Sequence, residues 1–233
     1  SKGLTLQELG VQSLDGSVFE TDPQKIWKKF SENYYLFRGT PTAIWLDYSF
    51  ERVFGITELL SPANSDLYYN HIEEKLSQPE YLPRALFDKF NIEVLSTTDS
   101  ALSDLSHHAK LNKITRERKI IPTYRPDSIV DPETSEFRNN LARLGELANE
   151  DTNSWDGYLK AHRSRRLFFK EMGAKATDHG HPSARTENLS YTDAEQLFKR
   201  ILVEEFSSED AEKFRGQMLT EMAKMSCEDG LVM

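Results

Sequence analysis

The sequence predicts an α/β protein in which a helical region, residues 1–90, precedes strands that alternate with helices over residues 91–233. Two observations lead to this prediction. Helix-start signals recur through the first region, and short β-rich runs separated by amphipathic helical stretches begin at residue 91. Strands that alternate with helices are typical of parallel sheets with right-handed crossovers. We therefore predict a helical domain followed by consecutive β-α units.

Prolines mark the predicted helix starts of the first region. Proline is favoured at the first helical position, and aspartate, serine or threonine just before it can cap the helix. The sequence has three such pairs, Asp22 with Pro23, Thr40 with Pro41, and Ser61 with Pro62, and a fourth proline, Pro83, follows Leu82. We expect a helix to begin at each of them.

The second region contains three β-rich runs, NIEVLSTTD, KIIPTYRPD and GAKATDHGHP, and a final LVM that is typical of a fourth strand. Helices are predicted over residues 99–111, 136–148, 154–173, 191–206 and 207–230. Each of the three runs ends in polar residues, at 97–99, 123–127 and 177–181. In parallel α/β folds the carboxyl ends of the strands carry the ligand chemistry. These polar ends are therefore the candidate site.

Composition narrows the classes of function. The chain is 38% hydrophobic and 29% charged, which is typical of a folded globular protein rather than a disordered one. A net charge of −9 argues against a nucleic-acid partner, but a few arginines in a pocket can still bind an anionic small molecule. One cysteine excludes an internal disulfide and favours a reducing compartment, the cytoplasm. No apolar stretch approaches the ~18 residues of a membrane span, so no membrane partner is expected.

His179 and His181 are separated by one residue after the third β-rich run. In an extended segment such side chains point to the same face, so the pair could ligate a metal such as zinc. Alternatively, Gly180 and Pro182 turn the chain and the two rings diverge. A third interpretation is proton transfer by His179 with its neighbour Asp178, because histidine titrates near neutrality.

Arg125 ends the second β-rich run. An arginine fork at a strand end can hold a substrate carboxylate through two parallel hydrogen bonds. The alternative is a structural ion pair with Asp127 or another acid.

The other histidines receive structural interpretations. His107 and His108 are interpreted as a surface pair, since adjacent helical residues face different directions. His162, within the basic run at residues 160–166, is interpreted as part of a solvated helix face.

Five segments together resemble one family. They are, in order, ENYYLFRGTPTAIWLDYSFERVFGI, RALFDKFNIEVLSTTDS, IPTYRPD, FFKEMGAKATDHGHP and QMLTEMAKMSCEDGLVM. In this order they resemble the middle portion of a uronate (glucuronate) isomerase of the amidohydrolase superfamily. The resemblance covers nearly the whole chain, and its most specific parts are FNIEVLSTTD, YRPD and TDHG.

The resemblance implies a partial (β/α)8 TIM barrel of the metal-dependent hydrolase-like type, with an N-terminal helical insertion. It implies interconversion of D-glucuronate with D-fructuronate, and of D-galacturonate with D-tagaturonate, in hexuronate breakdown. The family uses a divalent metal, commonly zinc. Carried over by motif, Arg125 would bind the substrate carboxylate, and Asp178 and His179 would be the catalytic candidates at the rim of the site.

This sequence also departs from the family pattern. The family's first-strand HxH metal pair, a following Asp-His-Tyr segment, and a later histidine and metal-binding aspartate have no counterpart among these residues. We therefore expect no tight metal binding and no isomerase activity from the 233 residues alone, and we assign no metal ligand. An unclosed sheet leaves strand edges unpaired, so we expect a homo-oligomer. The alternatives are an inactive α/β fragment, or an interaction module that donates its sheet edge to a partner.

Overall fold

The structure of the chain is a computed structural model that describes residues 5–8, 10–16, 18–114 and 119–233. The chain divides into two compact units, Ser1–Asn91 and Ile92–Met233. No helix in the described ranges combines the length and apolar character that a bilayer crossing requires.

The chemistry of the helix starts explains where two helices of the first unit begin. Helix α1 (Pro23–Glu32) is capped by Asp22, whose carboxylate accepts two backbone N–H groups of the first turn. Helix α2 (Pro41–Arg52) is capped by Thr40, whose hydroxyl accepts the Ala43 backbone N–H. Both predicted starts are confirmed.

The other two starts differ from each other. Helix α4 (Pro83–Lys89) begins at the predicted proline. Helix α3 (Ser65–Leu76) begins later than the predicted Ser61. The reason is local, since the side-chain oxygen of Asn64 accepts the Ser61 backbone N–H at 2.8 Å and so stabilises a turn before the helix.

Aromatic side chains form the core of the first unit. The rings of Phe50 and Tyr68 meet at right angles with their centroids 5.1 Å apart, an arrangement that aromatic pairs favour. Trp27 packs beside them and donates its indole N–H to the Ser65 carbonyl at 2.9 Å. Helices α1, α2 and α3 therefore share one core.

A parallel strand pair organises the second unit. Strands β1 (Val94–Ser100) and β2 (Lys119–Arg125) pair in register along their whole length. The prediction that these runs form adjacent parallel strands is confirmed. Helix α5 (Ser106–Ile114) lies between them in sequence.

Helix α5 starts later than predicted, because the chain remains extended past residue 99. Strand β1 runs to Ser100, and the next backbone N–H, that of Ala101, donates to the Arg125 carbonyl at 2.9 Å. Residue 99 is therefore part of the sheet.

In the part of the chain that the structure describes, the third and fourth predicted strands form only isolated β-bridges. Thr177 bridges Tyr124 in parallel, and Ala176 bridges Val232 in parallel. The extended segment is short because the chain turns away after residue 178, where the Gly180 N–H donates to a side chain at 2.9 Å instead of to a neighbouring strand.

Four helices follow in the second unit: α6 (Phe137–Ala148), α7 (Trp155–Glu171), α8 (Tyr191–Leu202) and α9 (Ser208–Asp229). Ser154 caps α7 as predicted, and Ser207 forms a capping box with Asp210 at the start of α9. The core joins residues of the strands and these helices, with Tyr124, Tyr158, Phe198 and Phe214 fully or almost fully buried.

Candidate functional site

The candidate site lies at the carboxyl end of β2. Arg125 is the last residue of the strand, and a 3-10 turn, Asp127–Ile129, follows one residue later. The Arg125 Nε–H donates to the Asp127 carboxylate, and Arg125 Nη1 lies 3.3 Å from a carboxylate oxygen of Asp178. The structure therefore brings together Arg125 and Asp178, two predicted site residues. It also contains the alternative ion pair with Asp127.

The Arg125 guanidinium is charged and open to solvent. Its side chain is 40% exposed. The hydrogen bond to Asp127 raises the pKa of Arg125 above its ordinary value, and the charge of Asp178 adds to this. Its Nη2 group donates to no residue that the structure describes. An anion from solution could therefore bind the Nη1–Nη2 edge in competition with Asp178.

The segment that carries the two histidines is anchored at both sides of residue 179. The Asp178 backbone N–H donates to the Tyr124 carbonyl at 3.0 Å, and the Gly180 N–H donates to Asp127 Oδ1 at 2.9 Å. His179 Nε2 shares a hydrogen bond with the Thr177 hydroxyl at 3.0 Å. These bonds fix the chain on both sides of His179.

The His179 and His181 rings stay close, with centroids 5.9 Å apart. Burial lowers the pKa of His179 to about 4, and it also lowers the pKa of His181. Both rings are therefore neutral at pH 7. His179 Nδ1 and both ring nitrogens of His181 are buried without a hydrogen-bond partner in the described part of the chain.

A metal centre does not fit these residues. Protein zinc sites use three or four ligand side chains. Nowhere in the described ranges do three or more His, Cys, Asp or Glu side chains form a group that could hold a metal ion. The two histidines, Asp178 and Asp127 therefore do not form a complete metal site by themselves.

The interpretation of His162 as a solvated residue is wrong. Its side chain is fully buried on α7, and Nδ1 shares a hydrogen bond with the Tyr124 hydroxyl at 2.8 Å. Burial lowers the pKa of His162 to about 3. Arg165 and Arg166 of the same basic run are also buried, whereas Lys160 and Arg163 are not, so one side of this run faces the core.

The surface interpretation of the adjacent histidines holds for His107 but is wrong for His108. His107 is exposed, whereas His108 is buried, with Nε2 2.8 Å from the Thr97 hydroxyl and 3.5 Å from the Asp99 carboxylate. The polar end of β1 is thus joined to helix α5.

Two cavities adjoin the histidine segment. One, of about 110 Å³, is lined by residues that include Asp127, His181 and Arg215. The other, of about 520 Å³, is lined by residues that include both His179 and His181. Asp127 contacts both Arg125 and the histidine segment, whereas the sequence indicates it only as an ion-pair partner of Arg125. Its position two residues after Arg125 was the available signal.

Comparisons with known proteins bear on what this site does. A family model described as glucuronate isomerase matches residues 13–233. The chain belongs to the glucuronate isomerase family. A uronate isomerase of Rhizobium meliloti is 53% identical over 233 residues, which is 100% of this chain and 50% of that protein. A uronate isomerase of Phenylobacterium zucineum is 50% identical over the same length and is covered to 48%.

Two solved structures agree with this family assignment. The glucuronate isomerase of Caulobacter crescentus matches with a TM-score of 0.85 and 45% identity, over 100% of this chain and 48% of that one. The uronate isomerase of Thermotoga maritima matches with a TM-score of 0.80 and 26% identity, over 96% and 49%. The chain thus spans about half the length of the curated family members it matches.

Proposed function

We propose that this chain is part of a uronate isomerase that interconverts D-glucuronate and D-fructuronate, and D-galacturonate and D-tagaturonate. In this proposal residues 92–233 supply consecutive β-α units of a (β/α)8 barrel, and residues 1–91 are a helical insertion. The in-register parallel pair of β1 and β2, and the two parallel bridges beyond it, support this arrangement. So does the likeness to two uronate isomerase structures.

Arg125 is the proposed anchor for the substrate carboxylate, and its geometry is the observation on which the proposal depends. The guanidinium stands at the carboxyl end of β2, where parallel α/β folds bind ligands. It is exposed and charged, and its Nη2 group donates no hydrogen bond to any residue that the structure describes. A hexuronate carboxylate can form a bidentate pair with the Nη1–Nη2 edge, and Asp178 would give way to it.

Asp178 and His179 are the proposed acid–base candidates beside this anchor. The isomerisation moves a proton between C1 and C2, while the oxygens on these carbons exchange carbonyl and hydroxyl roles. The reaction needs a base near the two carbons, a donor near the oxygens, and an anchor for the distant carboxylate. A neutral His179 can accept a proton, and the Asp178 carboxylate, once the substrate carboxylate displaces it from Arg125, becomes available to the reacting carbons.

These residues cover only part of that requirement. No complete metal site exists among the described residues, so no step is assigned to a metal here. We therefore expect the 233 residues alone to show no measurable isomerase activity.

The test is turnover of D-glucuronate by the longest natural protein that contains these 233 residues. An Arg125→Lys variant should lower kcat/KM on the order of 10²-fold, because one ammonium cannot reproduce the two-point fork. The matched control is Arg163→Lys, since Arg163 forms an exposed bidentate pair with Glu228 at 2.7 and 2.9 Å in the same unit. An inactive natural protein would overturn the proposed function. Equal effects of the two variants would overturn the role of Arg125.

A further inference from the structure

The carboxylate of Asp127 joins two segments that are far apart in sequence. One oxygen, Oδ2, accepts the Nε–H of Arg125. The other, Oδ1, accepts the backbone N–H of Gly180 at 2.9 Å, across 53 residues of chain. A single side chain thus fixes both the last side chain of β2 and the turn between His179 and His181.

Gly180 lets the guanidinium pack directly on the backbone. A Cβ at position 180 would overlap Arg125 Nη2 and lie 2.6 Å from Asp127 Oδ2. The backbone of Gly180 is not in the left-handed region, so the requirement for glycine here is steric rather than conformational. An alanine could therefore fold at this position, but it would push the flexible end of Arg125 away.

Only a carboxylate suits position 127. An ionised aspartate accepts hydrogen bonds at both oxygens, whereas asparagine presents one acceptor and one NH2 donor. Asparagine would therefore turn a donor toward either Arg125 or Gly180. Hydrogen bonds between charged groups are also stronger than neutral ones.

The bond to Nε also decides which edge of Arg125 remains available. Asp127 occupies the Nε side, and Asp178 lies 3.3 Å from Nη1. A ligand that binds the Nη1–Nη2 end of the guanidinium therefore displaces Asp178 from Nη1, while Nη2 lies against the Gly180 backbone. The same carboxylate is close enough to His179 and His181 to act on their protonation, although burial has the larger effect on both.

We propose that Asp127 is a positioning residue of the isomerase site. It orients the Nη1–Nη2 edge of Arg125 toward the substrate carboxylate, and it fixes the turn between His179 and His181 relative to that arginine. Gly180 is the small residue that this arrangement requires. The inference rests on the proposed function and deepens it by naming the residue that orients the carboxylate anchor.

The kinetic test uses D-glucuronate and the longest natural protein containing this segment, with variants Asp127→Asn and Gly180→Ala. Both should lower kcat/KM on the order of 10²-fold, because small displacements of a positioned group cost this much. The loss should appear mainly in KM, since the substrate carboxylate is held alike in the ground state and the transition state. Glu228→Gln is the control, because it removes a carboxylate from the Arg163 pair without touching Arg125.

A second readout does not depend on turnover. In the 233-residue chain, hydrogen exchange followed by NMR should be slowed by the Asp127 carboxylate at the Gly180 backbone amide and at the guanidinium Nε–H of Arg125. Asp127→Asn should accelerate at least one of them, and Glu228→Gln should leave both unchanged.

The two readouts separate the two claims. A natural protein without glucuronate turnover, combined with accelerated exchange in Asp127→Asn, overturns the proposed function but retains the contact made by Asp127. An active protein whose kcat/KM is unchanged in both variants overturns the positioning role. Unchanged exchange in Asp127→Asn overturns the contact itself.

Discussion

Replacing Asp229 with asparagine should destabilise the second unit strongly, because it leaves a buried guanidinium without its counter-ion. The Arg166 side chain is 0% exposed, and its Nε lies 2.6 Å from Asp229 Oδ2. Its Nη2 donates to Asp229 Oδ1 at 3.0 Å and to the Ser226 hydroxyl at 2.9 Å. The pair connects α7 to the end of α9.

The magnitude follows from the burial of the two partners. Removing one partner of a buried ion pair costs about 3–5 kcal/mol, since the other charge remains desolvated. The Asp229 side chain is 23% exposed and asparagine keeps one acceptor, so the lower end of this range applies. We expect a loss of about 3 kcal/mol in the free energy of unfolding of the second unit.

Hydrogen exchange read by mass spectrometry measures the stability lost by the second unit separately from the stability of residues 1–91. A loss of about 3 kcal/mol corresponds to roughly 10²-fold faster exchange in peptides of α7 and α9. The control is Glu228→Gln, the neighbouring acid on α9, whose partner Arg163 is 40% exposed. It should cost about 0.5 kcal/mol or less. Equal exchange in the two variants would refute the role assigned to the buried pair.

Three further predictions concern the pH dependence of stability, association of the chain, and zinc content. Because burial lowers the pKa of His162 from 6.5 to about 3, the unfolded chain binds one more proton between these values. The free energy of unfolding should therefore fall as pH drops below about 6.5, by up to about 1.4 kcal/mol per pH unit for this group. Urea unfolding of His162→Gln should show a shallower dependence of that free energy on pH. An identical slope in the two proteins would contradict this. Apolar side chains are exposed at the two outer edges of the parallel arrangement: 51% for Val94, 40% for Leu95 and 68% for Val232. The chain should therefore associate with further copies of itself. Light scattering that shows a compact monomer at high concentration would count against this. After dialysis, elemental analysis should find far less than one zinc per chain, whereas a stoichiometric amount would make His179 and His181 ligands.

Local chemistry made part of the fold predictable from sequence. Asp22 and Thr40 each precede a proline, and both cap their helices through contacts within three residues. Such short-range bonds depend on little outside the helix, so a pattern of residues is enough to predict them. The parallel pairing of β1 and β2 was also predictable, because alternating strands and helices leave few topologies open.

The placement of Arg125 beside Asp178 was partly predictable for the same reason. The carboxyl ends of neighbouring parallel strands lie at one edge, so polar residues that follow them meet there. The ion pair of Arg125 with Asp127 was one of the two alternatives predicted from sequence, but the second bond of that carboxylate was not predictable, because the N–H group of Gly180 reaches Asp127 from 53 residues away. The local sequence places Asp127 two residues after Arg125, but it does not indicate that the same carboxylate also binds the Gly180 backbone.

The sequence by itself determined where most helices begin, that β1 and β2 are parallel, and which polar residues lie at their ends. Only the tertiary structure decided which charged residues are buried. The run that contains His162 and Arg166 is polar enough to predict a solvated helix face, yet both side chains are fully buried. Arg166 is stable there because Asp229 lies opposite it, 63 residues later in the chain. A buried charge is tolerated only where a partner meets it, and that meeting is a property of the folded chain.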